Sequence, residues 1–148
     1  MRSLVRPRHP AYRELDPPTR RLRGDVVRFA VRSGRSLSLD ALDVTLAVAV
    51  DFNGSAYRWT AESLGSFVWV DVLAWCQERE LEPPSGVTTA LAVLIDHLDA
   101  SASLHPGSGR GDDLRAAARS LGGATARRRH PSQGTAAVLV LPVPTPAG

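Results

Sequence analysis

One dipeptide, Asn53-Gly54, decides whether the middle of this chain folds as a sheet or as a helical bundle. It sits inside "FNGSAYRWTAESLGSFVWVDVLAW", Phe52 to Trp75, which holds all three Trp and one of the two Tyr. Asn-Gly suits the type I′ turn of a β-hairpin, and Gly suits the left-handed stop of a helix. Upstream, "SLSLDALDVTLAVAVDFNG" supports both readings. As a strand, Val44, Leu46, Val48, Val50 and Phe52 alternate with smaller or polar residues. As a helix, Ser38 caps it, Asp40 lies in the first turn, and Leu39, Leu42, Leu46, Ala49 and Val50 form a stripe that Gly54 ends. The helix accounts for more residues and has a signal at each end. A hairpin needs a second alternating strand, and "SAYRWT" is too short to be one. The strand stays open as the alternative; the expectation is helix.

"HPAYRELDPP" contains Pro10, Pro17 and Pro18, which are expected to keep it extended. In "TRRLRGDVVRFAVRS", Leu22, Val26, Phe29 and Ala30 have helical spacing. Arg20, Arg21, Arg23, Arg28 and Arg32 fall mostly off that stripe, so this is a basic amphipathic helix weakened by Gly24. From Thr60, an N-cap, Leu64, Phe67, Val68, Val72, Trp75 and Cys76 form one face, widened by Trp69 and Leu73. That helix is expected to be central and to stop at Pro83-Pro84. A further helix restarts at Ser85 with Val87, Leu91, Leu94, Ile95 and Leu98 on its stripe. "DDLRAAARSLGG" reads as a short helix capped by Asp112 and ended by Gly122-Gly123, and "ATARRRHPSQG" as unstructured. "TAAVLVL" reads as a possible short strand before a Pro-rich tail. The fold class is therefore mainly α, a small bundle of four to five helices. An extended basic arm covers 1–18, a helical domain 19–123, and a flexible basic tail 124–148.

The chain of 148 residues makes one domain, able to bury roughly 68–70% of its unfolded surface without a staple. The single cysteine excludes an internal disulfide framework and a Cys-rich metal site. It points to a reducing, cytoplasmic setting. "MRSLVRPRHPAYREL" has no apolar run behind its basic residues, so no secretory signal is expected. The apolar stretches fall short of the about 18 residues a membrane span requires. All 18 basic residues are Arg, which GC-rich coding explains alongside the abundant Ala, Pro and Gly. Their distribution is uneven: residues 1–35 carry a net +7, residues 36–109 a net −8 and residues 110–148 a net +4. An acidic centre lies between two basic arms.

The motifs "AYRWTAESLGSFVWVDVLAWCQERELEPP", "ALAVLIDHLDASASL" and "LRAAARSLGG" resemble a loose group of small actinobacterial proteins of unknown function. These share an Arg-Trp-Ser/Thr helix start, an aromatic-rich helix, a Pro break and a second apolar helix. The resemblance covers about residues 45–123. It implies a helical fold and a bacterial cytoplasmic protein, and it carries no catalytic residue to transfer.

Little in the sequence points to chemistry. His9, His97, His105 and His130 lack the short spacings of metal ligands, so no metal or cofactor is expected. Cys76, beside Trp75 and Glu78, reads as a small buried hydrophobe. Asp71, inside "VWVDVLAW", lies on an exposed edge or forms a buried ion pair, with Arg58 or an arginine of the basic arms the candidate partner. "GSGRGDD" reads as a flexible loop. The arginines at 20, 21, 23, 28, 32 and the run Arg127, Arg128, Arg129 are candidate contacts to a partner or to phosphates. A non-enzymatic protein that binds a macromolecular partner, most simply another protein or a second copy, is the expectation. A DNA-binding regulator using the first helix and the 127–129 run is the alternative. Against it, the acidic centre disfavours entry of the middle helices into a groove.

Overall fold

The computed structural model describes residues 8–133, with side chains through 122. The expected C-terminal strand and the Pro-rich tail lie outside the described residues, as do positions 1–7. The described residues are helical, with no strand among them. After a 3-10 turn at Pro10–Glu14 come α1 (Pro17–Arg32), α2 (Leu39–Val48), α3 (Ala61–Ser66), α4 (Val72–Glu78), α5 (Val87–Ala100) and α6 (Gly111–Gln133).

Asn53-Gly54 stops a helix. The Ser38 side chain accepts from the Ala41 N–H at 3.2 Å and opens α2. A π turn at Ala49–Asn53 continues it, and Gly54 adopts the left-handed conformation at φ 76°. Every residue from Ala41 to Ala49 is buried, so beyond its first two residues α2 has no solvent face to break the apolar pattern. That total burial is why the alternation looked strand-like. Leu39, expected on the stripe, is instead 47% exposed.

The prolines before α1 open the helix rather than prevent it. Asp16 accepts from the Thr19 N–H at 2.9 Å, and Pro17 and Pro18 occupy the first helical positions. There a missing N–H costs nothing, because it has no intrahelical acceptor. Thr19, Leu22, Val26 and Ala30 are the buried ridge of α1. The 3-10 turn carries Ala11 into the core, where the turn packs on α2.

Helix α3 begins with a reciprocal capping box. The Ser63 N–H donates to Thr60 Oγ1 at 3.0 Å and the Thr60 N–H donates to Ser63 Oγ at 2.9 Å. A π turn at Phe67–Asp71 joins α3 to α4 in one continuous rod. Its buried residues, Leu64, Phe67, Val72, Trp75 and Cys76, contain a five-residue step from Phe67 to Val72. That step matches the i→i+5 period of a π turn. Leu73, expected to widen the buried face, is 43% exposed. This rod is not central: α2 and α5 are, with α1 packed against both and α6 against α5 and α3.

Three helices end on a left-handed residue followed by a reach-back hydrogen bond. Arg35 donates to Ala30 O at 2.9 Å past Gly34, Leu81 to Cys76 O at 2.9 Å past Glu80, and Ser103 to Leu98 O at 2.8 Å past Ala102. Helix α4 therefore stops before Pro83-Pro84 is reached. Helix α5 starts after Gly86, at φ 91°, and not at Ser85. Helix α6 starts at Gly111 and runs through Gly122-Gly123 to Gln133, so the expected stop and the expected unstructured 124–133 segment are both overturned. Glycine lowers helix propensity by about 1 kcal/mol but keeps its N–H, so it ends a helix only where the chain turns left-handed.

Candidate functional site

The arginines divide into those neutralised within the fold and those that face outward. Arg23 of α1 reaches Asp43 of α2 through Nε and, at 3.4 Å, through Nη2. The Asp43 side chain is 1% exposed. Burial pushes its carboxyl above the usual carboxylate value, and the Arg23 contact opposes that shift. Arg35 pairs with Asp96, and Arg115 of α6 lies 3.4 Å from Asp96 and 3.1 Å from Asp99. Arg79 stacks 3.9 Å above the Trp75 ring and donates to both Glu14 oxygens at 2.8 and 3.0 Å. Asp51 completes that cluster, accepting from Trp75 Nε1 at 2.8 Å. Together Arg79 and Glu14 tie the N-terminal turn to the rod.

The candidate pair of Asp71 with Arg58, the alternative to an exposed edge, does not form. Asp71 is half-buried and Arg58 is exposed on the loop before α3, with no ion pair between them. Burial alone raises the Asp71 carboxyl. The buried pair of this fold is Asp43 with Arg23. Its sequence signal was an acid in "LDALDVTLAV", a segment with no polar face to carry it outward.

Arg20, Arg21 and Arg32 are exposed on α1 and have no carboxylate in ion-pair range among the described residues. Arg8, Arg20 and Arg23 gather around the Tyr12 ring at 4.5, 4.7 and 4.8 Å from its centre. Among the described residues Arg28 pairs only with its helix neighbour Asp25, in the open. Beside Tyr57, from the α2–α3 loop, Arg20, Arg21, Gly24, Asp25 and Arg28 line an open cavity of about 460 Å³. Arg127, Arg128 and Arg129 belong to the backbone of α6, and their side chains lie outside the described residues.

A second hollow, about 320 Å³, runs between Trp69, Val72, Leu73, Pro83, Pro84 and Val87, and no ionisable side chain lines it. The other candidate chemical groups make contacts within the fold. His9 Nδ1 accepts from the Ala11 N–H at 3.0 Å, and His105 Nδ1 from the Gly107 N–H at 2.9 Å. His97 packs edge-on to Phe29 at 5.4 Å, and burial lowers its pKa. Cys76 is buried, which raises its thiol pKa against the pull of Arg79. Among the described residues no three His, Cys, Asp or Glu side chains group as metal ligands, and no helix is long and apolar enough to cross a membrane. Compared with protein-family models, with curated proteins and with solved structures, the chain matches none.

Proposed function

We propose that this protein is a non-enzymatic binding module whose α1 face docks an acidic segment of a partner protein. The observation that carries the reading is that Arg20, Arg21 and Arg32 share α1 and, among the described residues, have no ion pair, while Arg23, Arg35, Arg79 and Arg115 are paired within the fold. Arg beside exposed Tyr57 and Val31 is the composition of a protein-recognition surface. The structural contacts made by His9, His97, His105 and Cys76 support binding over catalysis. A cytoplasmic location belongs to the same proposal, resting on the single thiol.

A short acidic segment suits this face better than duplex DNA. DNA is long, and beyond α1 it meets a body whose residues 36–109 carry a net −8. A peptide of a few residues touches the positive strip alone. Titration calorimetry of the intact protein with a Glu-rich peptide and with duplex DNA separates the two. The expected result is peptide binding that weakens with salt and drops at least tenfold in the Arg20→Ala/Arg21→Ala variant, with its unfolding midpoint unchanged. Micromolar duplex binding at physiological salt, without peptide binding, overturns the proposal in favour of a DNA-binding regulator using α1 and Arg127–Arg129.

A further inference from the structure

We infer that the cavity at Gly24 is a phosphoryl site, built for the dianion of a phosphomonoester. This rests on the reading of the α1 face as the docking surface and names what its centre recognises: in that setting, a phosphorylated side chain of the partner.

Arg20, Gly24 and Arg28 lie at i, i+4 and i+8, so they share one ridge of α1. About 12 Å of helix separates the two arginines. Glycine between them leaves a notch where any other residue would fill the ridge. A Cβ placed there first meets the Arg28 guanidinium, at 3.5 Å, so that guanidinium already leans over the notch. Arg21 stands on the adjoining ridge, and Tyr57 closes the far side from another element. The volume, about 460 Å³, takes a phosphoryl group together with the side chain that bears it.

Charge selects the ligand. The charged lining residues, Arg20, Arg21, Arg28 and Asp25, sum to a net +2. A phosphomonoester carries about −1.5 to −2 at neutral pH and balances it. One carboxylate or a phosphodiester brings about −1 and leaves it in excess. Guanidinium forks also bind phosphoryl oxygens two at a time. Arg20 lies 4.7 Å from the centre of the Tyr12 ring, a contact that leaves its charge without a carboxylate among the described residues. Arg28 is bound only to Asp25 in an exposed pair, which a dianion displaces readily.

The test uses the full chain and two synthetic peptides of one acidic sequence, with phosphoserine or with glutamate at the central position. Inorganic phosphate and phenyl phosphate serve as free ligands, and binding is read by calorimetry. The expected result is a phosphopeptide at least tenfold tighter than its Glu counterpart, with the ratio falling to near one in Gly24→Leu. Leucine is a better helix former than glycine, so the variant folds; an unfolding curve checks this. Equal affinity for the two peptides overturns the phosphoryl site and leaves the docking surface standing. An undiminished ratio in Gly24→Leu overturns the placement at the notch. If phenyl phosphate binds as tightly as the phosphopeptide and Gly24→Leu abolishes both, the site stands as one for small phosphorylated molecules and the docking surface falls. If no ligand binds, both fall.

Discussion

Replacing Arg23 with Met removes the charge opposite Asp43 while keeping an unbranched stem of similar length. The partner left behind is a carboxylate with 1% of its side chain exposed, held against an arginine that is itself only 16% exposed. Water cannot reach it, so the situation is that of a broken buried pair, worth about 3–5 kcal/mol, and not of a surface pair worth about 0–1. With a urea slope of about 1–3 kcal/mol per M, the unfolding midpoint falls by at least about 1 M at neutral pH. The pH dependence gives a second handle. Burial already raises the folded-state pKa of Asp43 above its ordinary 3.8. A raised carboxyl stabilises the fold below the unfolded value, and that contribution is lost as pH rises through the folded one. Removing Arg23 takes away the main opposing contact and raises the folded value further. The gap between variant and wild type is therefore smallest toward pH 3.8, where the carboxyl is protonated, and widens as pH rises. The double change Arg23→Met/Asp43→Leu is expected to recover most of the loss, since an apolar pair of similar volume needs no compensating charge. A midpoint shift in Arg23→Met no larger than that of a surface pair, or a gap that widens as pH falls, would refute the assignment of Asp43 as the buried charge.

Leu94→Ala, at a side chain with no exposure, is expected to cost about 2–5 kcal/mol, while Leu39→Ala, at 47% exposure, stays within about 0.5 kcal/mol; paired urea curves check both. At the left-handed positions the signs are opposite: Ala102→Gly, at φ 54°, raises stability by about 1 kcal/mol, and Gly86→Ala, at φ 91°, lowers it by about 1–2 kcal/mol, read as opposite shifts in thermal midpoint.

The parts of this fold that were legible in the sequence are those specified within one or two turns. Ser38 and Thr60 cap the helices they were expected to cap, and Gly54 supplies the stop. Local signals failed where one residue type serves two roles. Proline breaks a helix interior but opens its first turn, and Asp16 before Pro17-Pro18 was the sign of the second role. Glu80 and Ala102 take left-handed positions without the glycine that usually marks them, so the ends of α4 and α5 were invisible. The two π turns leave no compositional trace. Pairings such as Arg79 with Glu14, 65 residues apart, need the register of one helix against another, which no local pattern encodes. The candidate site was half legible for the same reason. The Arg-rich ridge of α1 was plain, but only packing separates Arg23, drawn inward by Asp43, from Arg20 and Arg21, left outside.

That separation changes what the charge blocks of the sequence mean. Arg23 and Arg35 from the first basic block, and Arg115 from the last, pair with Asp43, Asp96 and Asp99 of the acidic centre. Folding thus mixes the blocks, but incompletely. Glu62, Asp71, Glu80 and Glu82, on and just beyond the α3–α4 rod, have no ion pair among the described residues. Helix α1 packs on α2 and α5, while the rod packs on α2 and α6. The unpaired arginines of α1 and the unpaired acids of the rod therefore sit on different elements, although Arg13, Arg58, Arg110 and Arg119 are also without an ion pair among the described residues. If α1 docks an acidic segment as proposed, unpaired arginines there would orient that segment toward α1 before contact. In that case the consequence would fall on the rate of association more than on the lifetime of the proposed complex. Salt shortens the reach of the field to about 8 Å at physiological strength, so the association rate is what should drop first as salt is added.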